Sequence, residues 1–94
     1  MIELFWTPEA TQDRDEIYDH IEADNPAVAL ALDELFAEKA GLLVDHPDLG
    51  RPGRITGTRE LVTHHNYVLI YDVAGNLVRV LRVLHAARQW PSQK

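Results

Sequence analysis

The 94-residue chain contains no cysteine, so it has no disulfide framework and no thiolate to offer a metal. That absence suits a reducing compartment, and the cytoplasm is the expected location. No apolar run approaches the ~18 residues that a membrane-spanning helix needs, so no membrane association is expected. The opening MIELFWTPEATQDRDE has no basic segment ahead of its apolar residues, which argues against a secretory signal. Internal repeats and low-complexity tracts are also missing. The length suits one domain over residues 1–94, burying roughly 60–65% of the surface its unfolded form exposes, and therefore marginal alone.

Basic residues are scarce in one half only. Residues 1–48 hold thirteen Asp and Glu against Arg14 and Lys39, a net of −11. Residues 49–94 hold Glu60 and Asp72 against six arginines and Lys94, a net of +5. The overall charge of −6 argues against a generic nucleic-acid binder, because acidic surfaces repel phosphate. The split implies two differently charged faces if the halves lie on different sides of the fold.

Ile2 to Trp6 reads as a short strand. Thr7-Pro8 then signals a helix start, with the threonine oxygen as cap and proline's fixed φ in the first turn. The helix should run to about Asp24. Ala10, Ile17, Tyr18 and Ile21 form its apolar stripe, while Asp13, Asp15, Glu16, Asp19 and Glu22 are expected to face water. Asn25-Pro26 repeats the signal, and Val28, Leu32, Leu35, Phe36, Leu42 and Leu43 recur at helical spacing. Two helices so closely joined should form an antiparallel hairpin. His46 to Arg54 is dense in proline and glycine and reads as a loop.

The period then changes. Arg59 to His64, Tyr67 to Val73 and Leu77 to His85 read as three antiparallel strands, the last two joined by Ala74-Gly75-Asn76. In the last strand simple alternation puts Val78, Val80, Arg82 and Leu84 on one face. Leu77, Leu81, Val83 and His85 fall on the other. A strand apolar on both faces is a central one. The expected fold is α+β in the order β-α-α-β-β-β, with the helical hairpin on one face of a twisted, mainly antiparallel sheet.

Several residues could carry chemistry. His85, at the end of the last strand, is a residue type that can shuttle protons at neutral pH, though a histidine so placed more often simply caps a strand edge. Arg82 stays charged within an apolar strand and needs a carboxylate, a carbonyl or a bound phosphate; Glu60, Asp72 or the acidic helices could supply the carboxylate. Arg59 follows Arg51 and Arg54 in a glycine-bearing stretch that could line a phosphate shelf or simply be solvated loop. Trp90 could stack on a base, anchor a partner, or close the core. His64-His65 is too short and isolated to be a metal site, and no cofactor is expected. His20 and His46 read as surface positions.

The element order, the segment GRITGTREL (residues 53–61), NYVLIYDV (66–73) and the terminal VLRVLHAARQWP (80–91) together resemble the RelE/ParE superfamily of type II toxins across essentially the whole chain. The resemblance implies a bacterial toxin encoded beside an antitoxin that wraps it with a helix and an extended segment. Two kinds of biochemistry follow from it. RelE-like members are metal-independent ribonucleases that cut messenger RNA on the ribosome, and by that analogy His85 is the acid while Arg59 and Arg82 hold the phosphate. ParE-like members act by binding DNA gyrase, and then Arg59, Arg82, His85, Arg88 and Trp90 form the target-binding surface. The chain departs from the RNA-cleaving pattern at Val68, where many relatives have an arginine facing the phosphate. It departs again at Gly53, near the place of a carboxylate base, and at Trp90, where a tyrosine often stacks. These departures favour the gyrase-binding branch. An inert relative that only engages its antitoxin is the third reading.

Overall fold

A computed structural model describes residues 1–64 and 66–86. Its elements run β1 (Glu3–Trp6), α1 (Pro8–Glu22), α2 (Pro26–Asp45), β2 (Arg51–Pro52), β3 (Thr58–His64), β4 (Tyr67–Ala74) and β5 (Leu77–His85). The sheet order is β1-β5-β4-β3-β2, with β1 parallel to β5 and the remaining pairs antiparallel. The expected α+β architecture is therefore present, with one addition. The loop after α2 contains a two-residue strand, Arg51–Pro52, paired with Arg59 and Glu60. Proline can sit there because an edge strand need not donate outward. Its return turn uses Gly57 at φ +90°, a conformation that favours glycine.

Both helices start as their caps dictate. Thr7 Oγ1 accepts from the Ala10 amide at 3.1 Å, and Asn25 Oδ1 accepts from the Val28 amide at 3.2 Å. The hairpin is fastened by Arg14 of α1, which makes a two-pronged contact to the Asp33 carboxylate of α2 at 2.9 and 2.8 Å. The same guanidinium lies 4.5 Å over the Trp6 ring of β1. Among the described residues no helix is long and apolar enough to cross a membrane.

The hairpin covers one sheet face. Ala10, Leu32, Phe36 and Ala40 pack with Leu69, Val80 and Val83, and Leu43 packs with Tyr71 and Val78. Full burial of each such large side chain contributes roughly 1.5–3 kcal/mol. Val28 and Leu42, expected in the core stripe of α2, are instead 49% and 41% exposed. The stripe follows Ala29, Leu32, Phe36, Ala40 and Leu43, and Val28 and Leu42 each sit one position, or about 100°, off it.

The other sheet face carries a separate buried cluster of Val68, Ile70 and Leu84, with Leu81 beside it. This corrects the simple alternation expected for β5. Ile70 pairs with Arg82 but Tyr71 pairs with Val80, so Leu81 is an extra residue in a β-bulge. Beyond it the faces exchange: Val80 and Val83 share the helix side, while Leu81 and Leu84 share the other.

Candidate functional site at the tip of the sheet

The bulge lies where β5 loses a neighbour. The pairing of β1 ends at Trp6 opposite Val80, and the chain then turns into α1. Thr7 manages that departure. Its amide donates to the Val80 carbonyl at 3.0 Å and its hydroxyl donates to the Leu81 carbonyl at 3.0 Å, while the same oxygen caps α1. One and a half turns on, Asp13 takes the place of a strand. Its Oδ2 accepts from the Val83 amide at 2.9 Å and from Arg82 Nε at 2.7 Å, and its Oδ1 accepts from Arg82 Nη2 at 3.0 Å.

Asp13 is buried, contrary to its expected place on the wet face of α1. The reason is in the spacing: residue 13 lies three after Ala10 and four before Ile17, on the helix's inward stripe. Its charge is tolerated because every contact it makes is a donor. Hydrogen bonding to Asp13 raises the Arg82 pKa above its ordinary value, against the opposing effect of burial, and Glu9 and Glu16 add to the rise. Of the partners the sequence left open to Arg82, the structure supplies a carboxylate, from Asp13 of α1.

His85 ends β5, exposed, opposite Tyr67. The two rings meet edge to face at 5.3 Å and 76°. Tyr67 in turn meets Phe36 of the core at 5.6 Å and 71°, so a line of three rings connects α2 to the sheet tip. Between α1 and this tip lies an open cleft of about 190 Å³, walled by Asp13, Glu16, His20, Tyr67 and His85. On the far side of Tyr67, a groove of about 370 Å³ is lined by Ile21, Val28, Ala31 and Leu35. Among the described residues no three His, Asp or Glu side chains are grouped to hold a metal.

Arg59 stands elsewhere. It pairs with Tyr71, four residues along β4 from Tyr67, or about 13 Å at strand rise. Its Nη1 donates to the Gly50 carbonyl at 2.6 Å and to the Asp48 carbonyl at 3.3 Å. The same loop is held from inside by Tyr71, whose hydroxyl donates to the Pro47 carbonyl at 2.8 Å and accepts from the Gly50 amide at 2.9 Å. A Cβ on Gly50 would stand 2.8 Å from the Tyr71 ring and 2.9 Å from the Glu60 carbonyl, so this close approach requires glycine. Arg51 pairs with Glu60 at 3.3 Å, and Arg54 is exposed.

The structure therefore brings Arg82 and His85 to one end of the sheet and leaves Arg59 at another. Arg88 and Trp90 lie outside the described residues. Sequence reasoning missed Asp13 and Tyr67. Only the helical spacing around Asp13 signalled either one.

A family profile described as the ParE toxin of the type II toxin-antitoxin system parDE matches residues 4–90. The chain belongs to the ParE toxin family. It is 39% identical over 87 residues to a Sinorhizobium fredii protein called "Putative toxin Y4kP", covering 92% of this chain and 90% of that one. It is 36% identical over 88 residues to Toxin RelE2 of Caulobacter vibrioides, covering 94% and 99%. Its fold matches a solved chain of the chromosomal ParDE TA system from P. aeruginosa with a TM-score of 0.81 and 30% identity, over 90% and 96% of the two chains. This ParE-family toxin thus carries its family's fold with a strand tip fastened by Asp13.

Proposed function

We propose that this toxin arrests growth by binding DNA gyrase in the cytoplasm, and that a cognate antitoxin encoded by an adjacent gene silences it. One observation carries the choice of target: both arginines needed to hold a scissile phosphate are already engaged within the protein. Arg82 is bound to Asp13, and Arg59 is bound to the Asp48 and Gly50 carbonyls. Asp13 and Glu16 wall the cleft beside His85, where an RNA cut would need cations around the crowded phosphate. The likeness to a ParDE chain supports the same reading. Arg82 and Arg59 then fix the frame, while His85, with Arg88 and Trp90 following it in sequence, meets the target. Arginine and tryptophan are the residue types that most often dominate interface energetics.

The RNA-cleaving alternative keeps one specific support. His85 is exposed at the strand end with its ring against Tyr67, a position open to an acid in ribosome-positioned chemistry. Induction of the chain alone, with purified protein tested on gyrase, separates the two. The expected result is filamentous cells, intact transcripts and inhibited supercoiling, with His85→Ala retaining most of the toxicity. Cut transcripts from the wild type and a harmless His85→Ala variant would transfer the function to the nuclease.

A further inference from the structure

The loop between α2 and β3 is built more firmly than a solvated connection requires. Its base is held twice: Tyr71 bridges the Pro47 carbonyl and the Gly50 amide, and Arg59 Nη1 spans the Asp48 and Gly50 carbonyls. Its far end is a closed hairpin. The Gly53 amide donates to the Thr58 carbonyl at 2.8 Å, and the Thr58 hydroxyl donates to the Ile55 carbonyl at 2.6 Å. The apex so fixed is Arg54-Ile55-Thr56, exposed throughout, with Ile55 39% open to solvent. Isoleucine is not a residue that a turn needs, since turns favour Gly, Pro, Asn, Asp and Ser. The hairpin also carries unmatched positive charge. Glu60 and Asp72, the acids on the strands beside it, are engaged by Arg51 and Arg79. Arg54 makes no ion pair among the described residues, and residues 87–94 contain no Asp or Glu. Even with exposed Asp48 counted, Arg51, Arg54, Arg59 and Arg79 outnumber the carboxylates around them.

We propose that this hairpin is a second contact with the target protein, seating Ile55 in an apolar notch while Arg54 pairs with an Asp or Glu on its rim. The proposal rests on the gyrase-binding reading, and it adds a gripping surface away from His85. A hairpin already fixed by its own hydrogen bonds loses little freedom on docking, so its contacts are retained as affinity. An unpaired guanidinium beside an exposed aliphatic side chain complements an acidic, apolar site. A phosphate backbone fits less well, because it offers Ile55 nothing to pack on and is repelled by Glu60 and Asp72 on the adjoining strands. The hairpin joins β3 at Thr58, six residues from His64 at the tip, or about 20 Å at strand rise. An interface of ordinary size, about 800 Å² on each partner, is wide enough to include both ends.

The test compares wild type, Arg54→Glu and Ile55→Asp, in induced cultures and as purified chains. Leu30→Glu, which changes a residue of α2 that is 51% exposed, serves as the control. All three substitutions alter exposed side chains, so thermal midpoints should match wild type. Arg54→Glu and Ile55→Asp should each raise the concentration that inhibits gyrase supercoiling by about tenfold or more and relieve growth arrest, while Leu30→Glu does neither. Arg54→Ala and Ile55→Ala repeat the comparison without introducing charge, and losses of about threefold are expected. Wild-type potency in all the hairpin variants would overturn the hairpin contact and leave gyrase binding in place. Growth arrest by the wild type without inhibited supercoiling would overturn the gyrase reading. The hairpin contact would then stand if its variants lost that arrest and fall if they kept it. A wild-type chain that neither arrests growth nor inhibits supercoiling would overturn both. Binding to duplex DNA alone that Arg54→Glu abolishes and Ile55→Asp preserves would assign the hairpin to a phosphate backbone instead.

Discussion

From Leu77 to Val80, β5 runs between β1 and β4; from Leu81 to His85 it has β4 on one side and α1 on the other. Each half has a polar anchor of a different kind. The first half packs beside Tyr71, a neutral phenol whose hydroxyl holds the loop of Pro47 and Gly50. The second half is held by Asp13, one carboxylate that replaces a strand's acceptor and binds Arg82 at once. A strand edge closed by neighbouring backbone spreads its hydrogen bonds over many residues. An edge closed by two side chains, the Thr7 hydroxyl on the Leu81 carbonyl and Asp13 on Arg82 and Val83, concentrates most of them at Asp13, which makes the tip vulnerable there.

The largest effect is expected from removing that residue. Asp13→Ala would leave the Arg82 guanidinium and the Val83 amide without their acceptor in a partly buried place. It should destabilise the fold by about 3 kcal/mol. The informative readout is local: amide exchange at Val83 should rise far more than at Val78, in the half flanked by β1. Uniform acceleration of both amides would mean that the two halves open together and that Asp13 is no separate latch.

A smaller effect is expected at the other anchor. Tyr71→Phe keeps the ring but strands the Gly50 amide and the Pro47 carbonyl, for a loss of about 1–2 kcal/mol. Burial raises the Tyr71 pKa above its usual 10.0, and the Gly50 hydrogen bond and the Arg59 charge oppose that rise. The unfolded chain therefore loses this proton near pH 10.0 and the folded chain only at higher pH. Within that window the unfolded state binds fewer protons, so stability that is complete below pH 10.0 declines as pH rises toward the folded value. Alkaline denaturation should accordingly be steeper in the wild type than in Tyr71→Phe. Parallel curves would mean that the phenol ionises as freely in the folded protein as in the unfolded one.

The halves of β5 also differ in how far sequence reveals them. Capped prolines, helical stripes and the Gly75-Asn76 turn sufficed for the two helices and the final three strands. The bulge was hidden because Leu81 and both its neighbours' faces accept apolar residues, so no polarity change marks which residue is extra. β2 was hidden because Arg51 and Pro52 have the composition of a loop, and only pairing with Arg59 and Glu60 makes them a strand. Arg82's need for a carboxylate, carbonyl or phosphate partner was legible, since a guanidinium cannot shed its charge. The identity of that partner required the bulge and the turn of α1. Arg59 looked free for phosphate because its acceptors are backbone carbonyls of Asp48 and Gly50, which leave no trace in residue type.

The smallest effect should come from an ion pair in the half that two strands enclose. Arg79 lies directly across from Asp72 and makes two contacts to its carboxylate, at 2.9 and 2.5 Å, a geometry as good as that of Arg82 on Asp13. The difference is solvent: the Arg79 side chain is 44% exposed, so water and salt screen the attraction and rehydrate either partner when the other is removed. β1 and β4 continue to hold the backbone whether or not the pair exists. Asp72→Ala should therefore leave the thermal midpoint and the Val78 amide exchange indistinguishable from wild type. A loss comparable with that of Asp13→Ala would mean that bond geometry governs stability here, regardless of burial or of which element closes the strand's edge.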